Sequence, residues 1–84
     1  MGDAGGFPSM KATKLRGILK KELGYKVVPK RGKGSHTVYE SEEYGRLVWG
    51  FHNKRNLAPR EVRNVLVRQV GLTIEQAKEV LNVD

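Results

Sequence analysis

Residues 35–51, SHTVYESEEYGRLVWGF, decide the fold. On either side of the acidic SEEYG the apolar residues recur every second position, which is the period of a strand with one face in the core. SHTVYE sets His36, Val38 and Glu40 on one face and Thr37 and Tyr39 on the other. RLVWGF sets Leu47, Trp49 and Phe51 on one face and Val48 with Gly50 on the other. Two alternating runs joined by a short turn predict an antiparallel hairpin.

The hairpin gains a third member upstream. YKVVPK reads as a strand that stops near Pro29, because proline cannot donate to a ladder. Ahead of it, Leu15, Ile18, Leu19 and Leu23 follow the spacing of one helical stripe from Lys11 onward, and Gly24 is placed to end that helix. Downstream, HNKRNLA reads as a polar, basic connection, and Pro59 suits the first position of a second helix. Val62, Val65, Leu66 and Val70 form its inward stripe, and Gly71 closes it. TIEQ is a literal capping box, Thr73 as N-cap and Gln76 three residues on, opening a short last helix through Ile74, Ala77, Val80 and Leu81. The expected architecture is α+β, an α-β-β-β-α sandwich whose three-stranded antiparallel sheet has helices on one face, plus a short C-terminal helix. The Gly-rich residues 1–10 read as a disordered leader without signal-peptide features, leaving residues 11–84 as one domain.

A chain of 84 residues holds one modest core and no deep substrate cavity, so a large, extended partner fits better than a small metabolite. Its formal charge of +7 favours a polyanion, nucleic acid first. Residues 11–33 carry nine Lys and Arg against Glu22, and residues 51–72 carry five against Glu61. Without cysteine, disulfides and thiolate metal sites are excluded, and a cytoplasmic setting is expected. The two histidines stand far apart, with no Asp or Glu at ligand spacing, so neither a metal nor another cofactor is expected. No apolar run is long enough to span a membrane.

Two places offer chemistry. Gly32 and Gly34 let the backbone of the 30–34 loop approach a phosphate, with Lys30, Arg31 and Lys33 to hold it, although any tight connection in a basic protein has the same look. His36 follows directly. Imidazole exchanges protons near neutrality, and RNA carries its own nucleophile in the 2′-OH, so a general base beside a phosphate clamp suffices for cleavage. The plainer reading is a half-exposed strand histidine with a local hydrogen bond. His52, beside Lys54 and Arg55, is either a second acid/base group, a phosphate contact or a solvated loop residue. Trp49 and Phe51 either stack on bases or fill the core.

Gly34-Ser35-His36 after a basic loop, the His52-x-Lys54-x-x-Leu57 segment and a helix ending VLVRQVGL resemble, in that order, the HicA family of toxins from toxin–antitoxin modules. The resemblance runs from about Lys11 to Leu81. It implies a double-stranded-RNA-binding-domain-like fold and an mRNA interferase, an endoribonuclease in which His36 matches the catalytic histidine and Gly34 and Ser35 shape its presentation. His52 matches a second, less firmly assigned histidine. RNA contacts are then expected at Lys30, Arg31, Lys33, Gly34, Ser35, Lys54 and Arg55, and a HicB-type antitoxin is expected to cover His36. Where members of the family carry a proline before the second histidine, this chain has Gly50-Phe51. A non-catalytic RNA-binding module of the same fold is the alternative.

Overall fold

The computed structural model describes residues 6–29 and 36–82. The elements run β1 (Met10–Lys11), α1 (Ala12–Leu23), β2 (Lys26–Val27), β3 (Thr37–Ser41), β4 (Gly45–Trp49), β5 (Asn56–Leu57), α2 (Pro59–Arg63) continuing as a π-helix (Asn64–Gln69), and α3 (Ile74–Leu81). The main sheet has the order β2-β3-β4, antiparallel throughout. Helices and sheet share one core, and the expected α-β-β-β-α sandwich with its additional C-terminal helix is what the chain forms.

Hairpin alternation holds along the core-facing row, and Val38 departs from it by being buried on the opposite face. Tyr39, Leu47 and Trp49 are buried, whereas Glu40, Arg46 and Val48 on the opposite face are exposed. Tyr39 meets Trp49 edge to face, with ring centroids 6.4 Å apart, so the large side chains of the inward row lock against each other. The register pairs Thr37 with Trp49, Val38 with Val48 and Glu40 with Arg46. It is fixed at the turn by Ser41, a buried serine whose hydroxyl accepts from the backbone N–H groups of Glu43 and Tyr44, each at 3.3 Å. The same hydroxyl donates to the carbonyl of Leu23 at 2.9 Å and so ties the hairpin to the end of α1. Gly45 supplies the φ of 81° that the turn needs.

The helical stripes pack as their spacing requires. Leu15, Leu19 and Leu23 of α1 are buried, and Gly24, at φ 71°, ends the helix by donating to the carbonyl of Leu19. In the second helix Val62, Val65, Leu66 and Val70 are all buried. They are not on one regular α-helix, as the sequence suggested. From Asn64 the hydrogen bonds lengthen to the π pattern, with the Val70 N–H reaching the carbonyl of Val65 at 3.0 Å. An α-helix would carry Val70 well round from Val62; the wider turn winds fewer degrees per residue and brings it back over the core. Thr73 and Gln76 exchange both bonds of the capping box, at 3.0 Å each. Ile74 is 45% exposed, and Ala77 takes the buried position of α3.

Three expectations need correction. Residues 6–10 are not a loose leader: Phe7 is buried at 6% exposure and belongs to the core, and Met10–Lys11 form β1. The connection after β4 is not wholly irregular, since Asn56–Leu57 pair with β1, Met10 opposite Leu57 and Lys11 opposite Asn56. Leu57 is completely buried there, and the Ala12 N–H donates to the carbonyl of Arg55 at 2.9 Å. The strands are also shorter than expected: β2 covers Lys26–Val27, with one further bond from the Val28 N–H to the carbonyl of Val38, and β4 ends at Trp49 rather than Phe51.

Two measurements check this packing. Phe7→Ala, which empties a core position, is expected to lower unfolding stability by about 3 kcal/mol in urea titration, as truncating a buried phenylalanine does. The Tyr25 hydroxyl is buried without a hydrogen-bond partner among the described residues, and burial, with Tyr44 nearby, raises its pKa above the ordinary 10.0. A phenol harder to ionise when folded gives stability that is intact below pH 10 and falls as pH rises beyond it, because only the unfolded chain then releases the proton. Tyr25→Phe should therefore flatten the alkaline decline of Tm while leaving Tm near pH 7 little changed.

Candidate functional site

The helix-free face of the sheet is read directly from the register. Val28, Val38 and Val48 form one row across the three strands, and Lys26, Glu40 and Arg46 form the next toward the acidic turn. Arg46 and Glu40 are joined by a 3.0 Å ion pair, half exposed on both sides and therefore worth less than about 1 kcal/mol. One step the other way along the ladder, His36 stands opposite Gly50. Its imidazole lies against that glycine: a Cβ built on Gly50 would be 2.9 Å from Cδ2 and 3.0 Å from Nε2 of His36. The residue itself is exposed.

Strand direction gathers the other candidates at this same end. The end of β2, the start of β3 and the end of β4 coincide in an antiparallel sheet, so Pro29, His36, Gly50 and the residues after it share one edge of the domain. His52 is exposed and begins a turn in which the Arg55 N–H donates to its carbonyl at 3.0 Å. Lys54 is exposed in that turn. Arg55 is already engaged: its guanidinium pairs with Glu61 and lies 5.5 Å from the centroid of the Phe51 ring. Glu61 in turn accepts from the Ala58 N–H at 2.9 Å, so this pair braces the start of α2. Lys30, Arg31, Lys33, Gly34 and Ser35 lie outside the described residues.

The aromatic pair divides between its two readings. Trp49 is only 2% exposed and belongs to the core. Phe51 is half buried, edge to face with Trp49 at 5.2 Å, and its ring is approached by Arg55. Base stacking on Trp49 is thereby removed. An open groove of about 940 Å³ runs between the end of α1, β2 and the acidic turn, but neither histidine lines it. Its walls carry Lys21 and Lys26 against Glu22, Glu40, Glu42 and Glu43, an acidic excess that disfavours a polyanion. The end of the sheet around His36 is the candidate site.

Gly50 and Ser41 were not picked out from the sequence as functional or structural keys. The signal for Gly50 was present: once the strands flank a turn at residues 42–44, the pairing rule puts residue 50 opposite residue 36. No comparable signal marked Ser41, because its burial depends on where α1 ends.

The α+β sandwich thus carries two exposed histidines, His36 and His52, toward one end of its main sheet. A family model described as HicA toxin of bacterial toxin-antitoxin matches residues 12–72, and the chain belongs to this family. It is accordingly a toxin of a toxin–antitoxin module, with an antitoxin as its partner. Comparisons with curated proteins and with solved structures gave no match. Among the described residues, no helix is long and apolar enough to cross a membrane.

Proposed function

We propose that this toxin is a metal-independent endoribonuclease that cleaves mRNA in the cytoplasm, with His36 in proton transfer at the scissile bond. The observation that carries the reading is the placement of His36: exposed at the end of the sheet, next in sequence to the basic 30–35 segment and on the edge from which the His52–Arg55 turn departs. Lys30, Arg31 and Lys33 neutralise phosphates, while Gly34 and Ser35 let the backbone come close to one. His36 takes the proton of a ribose 2′-OH, the freed oxygen attacks the adjacent phosphorus, and the 5′-oxygen leaves as it gains a proton. His52 is the candidate donor of that proton or a further phosphate contact. Lys54 extends the cationic track, and Arg55 adds charge while holding α2 in place. The antitoxin of this reading is HicB-type and silences the toxin by covering His36.

The test is expression of wild type and His36→Ala, followed by growth and by RNA cleavage with purified protein. Losing a general base costs roughly a hundredfold to ten-thousandfold in rate, so the folded alanine variant should neither arrest growth nor cut RNA. Equal toxicity of the two proteins would sink the assignment. If neither protein cuts while both bind RNA with a steep salt dependence, the domain is a binding module instead.

A further inference from the structure

We infer that Gly50 is a positioning residue for His36: its bare α-carbon is the seat on which the imidazole rests, and any side chain there displaces the ring. This rests on the reading of His36 as the proton-transfer group.

The β3–β4 register, continued one step past its last pair of Thr37 with Trp49, sets residues 36 and 50 opposite each other on the face that carries the exposed Glu40, Arg46 and Val48. The nearest heavy atoms to a Cβ at residue 50 are all from one imidazole, Cδ2 at 2.9 Å, Nε2 at 3.0 Å and Cε1 at 3.8 Å. The first two are closer than carbon packs against carbon or nitrogen, so ring and methyl cannot both keep their places. Gly50 is not among the glycines with positive φ, unlike Gly24, Gly45 and Gly71. Its backbone therefore accepts an L side chain, and the need for glycine comes from the histidine across the ladder.

What yields on substitution also follows. The colliding atoms are the far end of a side chain whose residue is exposed, whereas the backbone at residue 50 is held from below by Trp49 in the core. The imidazole swings away and the strand stays. Nε2 lies on the edge of the ring that faces the glycine, so the displacement moves a proton-transfer atom directly. A misplacement on the scale of an ångström is enough to cost a factor of about a hundred in a reaction that depends on alignment.

The experiment compares wild type, Gly50→Ala, His36→Ala and Gly17→Ala by thermal melting, by NMR of the histidine ring signals and by steady-state RNA cleavage. Gly17 is the control because it receives the same added methyl on α1 with nothing within 4 Å. Gly50→Ala should melt cooperatively, shift the His36 ring resonances, and lower kcat between roughly tenfold and a hundredfold with KM little changed. Gly17→Ala should leave those resonances and kcat as in wild type. Unmoved His36 resonances in folded Gly50→Ala, or moved resonances with full kcat, would each overturn the inference. Should Gly50→Ala fail to fold, the double variant with His36→Ala decides: recovery of the fold identifies the imidazole as the obstacle, and continued failure refutes the seat. His36→Ala alone keeps the two claims separate. Its retained cleavage condemns the catalytic role, whereas its loss of cleavage beside full kcat in Gly50→Ala condemns only the positioning.

Discussion

The register of the β3–β4 hairpin is the constraint on which the rest of this small domain depends. Strand side chains alternate between faces, so a slip of one residue would carry Tyr39, Leu47 and Trp49 into solvent and turn His36 toward the core. The burial of three large side chains opposes that slip from one face, and Ser41 opposes it from the turn by holding two backbone N–H groups and the last carbonyl region of α1 together. Position of the exposed histidine is thus a by-product of core packing on the opposite face. A domain of this size has little stability to spare, and such double use of one hairpin lets a surface site be rigid without a scaffold of its own.

Charge is arranged around that frame without being needed by it. The ion pairs among the described residues are at the surface, Arg46 with Glu40 and Arg55 with Glu61, and neither lies in the core. Basic residues thereby remain available to set the field of the sheet edge, while folding is driven by leucine, valine and aromatic burial. Among the described residues, Arg55 is the candidate contact with a structural duty as well, because its guanidinium bridges a helix-starting carboxylate and the Phe51 ring.

How much of this could be read from the sequence depended on whether a feature repeats. The hairpin alternation, the Leu15, Leu19, Leu23 stripe and the Val62 to Val70 stripe are periodic, and the Thr73 to Gln76 cap has a local spacing; the core rows and the cap form as read, and the valine stripe is buried although its helix is not a regular α-helix. Phe7, the two-residue β1 and β5, and Ser41 carry no period, and each is decided by a partner distant in sequence. The π turn at Asn64–Gln69 escaped because its residues are ordinary helix formers, and only the demand to bury Val70 beside Val62 widens the helix. For the site, the exposure of His36 and its hairpin setting were legible. The glycine beneath it was not, since a lone glycine in a strand suggests a bulge or a bend before it suggests a seat.

The β1–β5 ribbon divides the candidate site into parts held by contacts of different sequence separation. His36 and Gly50 meet through a hairpin closed by a short turn, a contact of low sequence separation. The turn bearing His52, Lys54 and Arg55 is anchored instead by Met10 with Leu57 and by the Ala12 bond to Arg55, contacts that close more than half the chain. Local opening that frays the two-residue ribbon would therefore release the distal basic turn while the histidine and its glycine stay in register. One half of the site answers to the hairpin alone, and the other to the integrity of the whole domain.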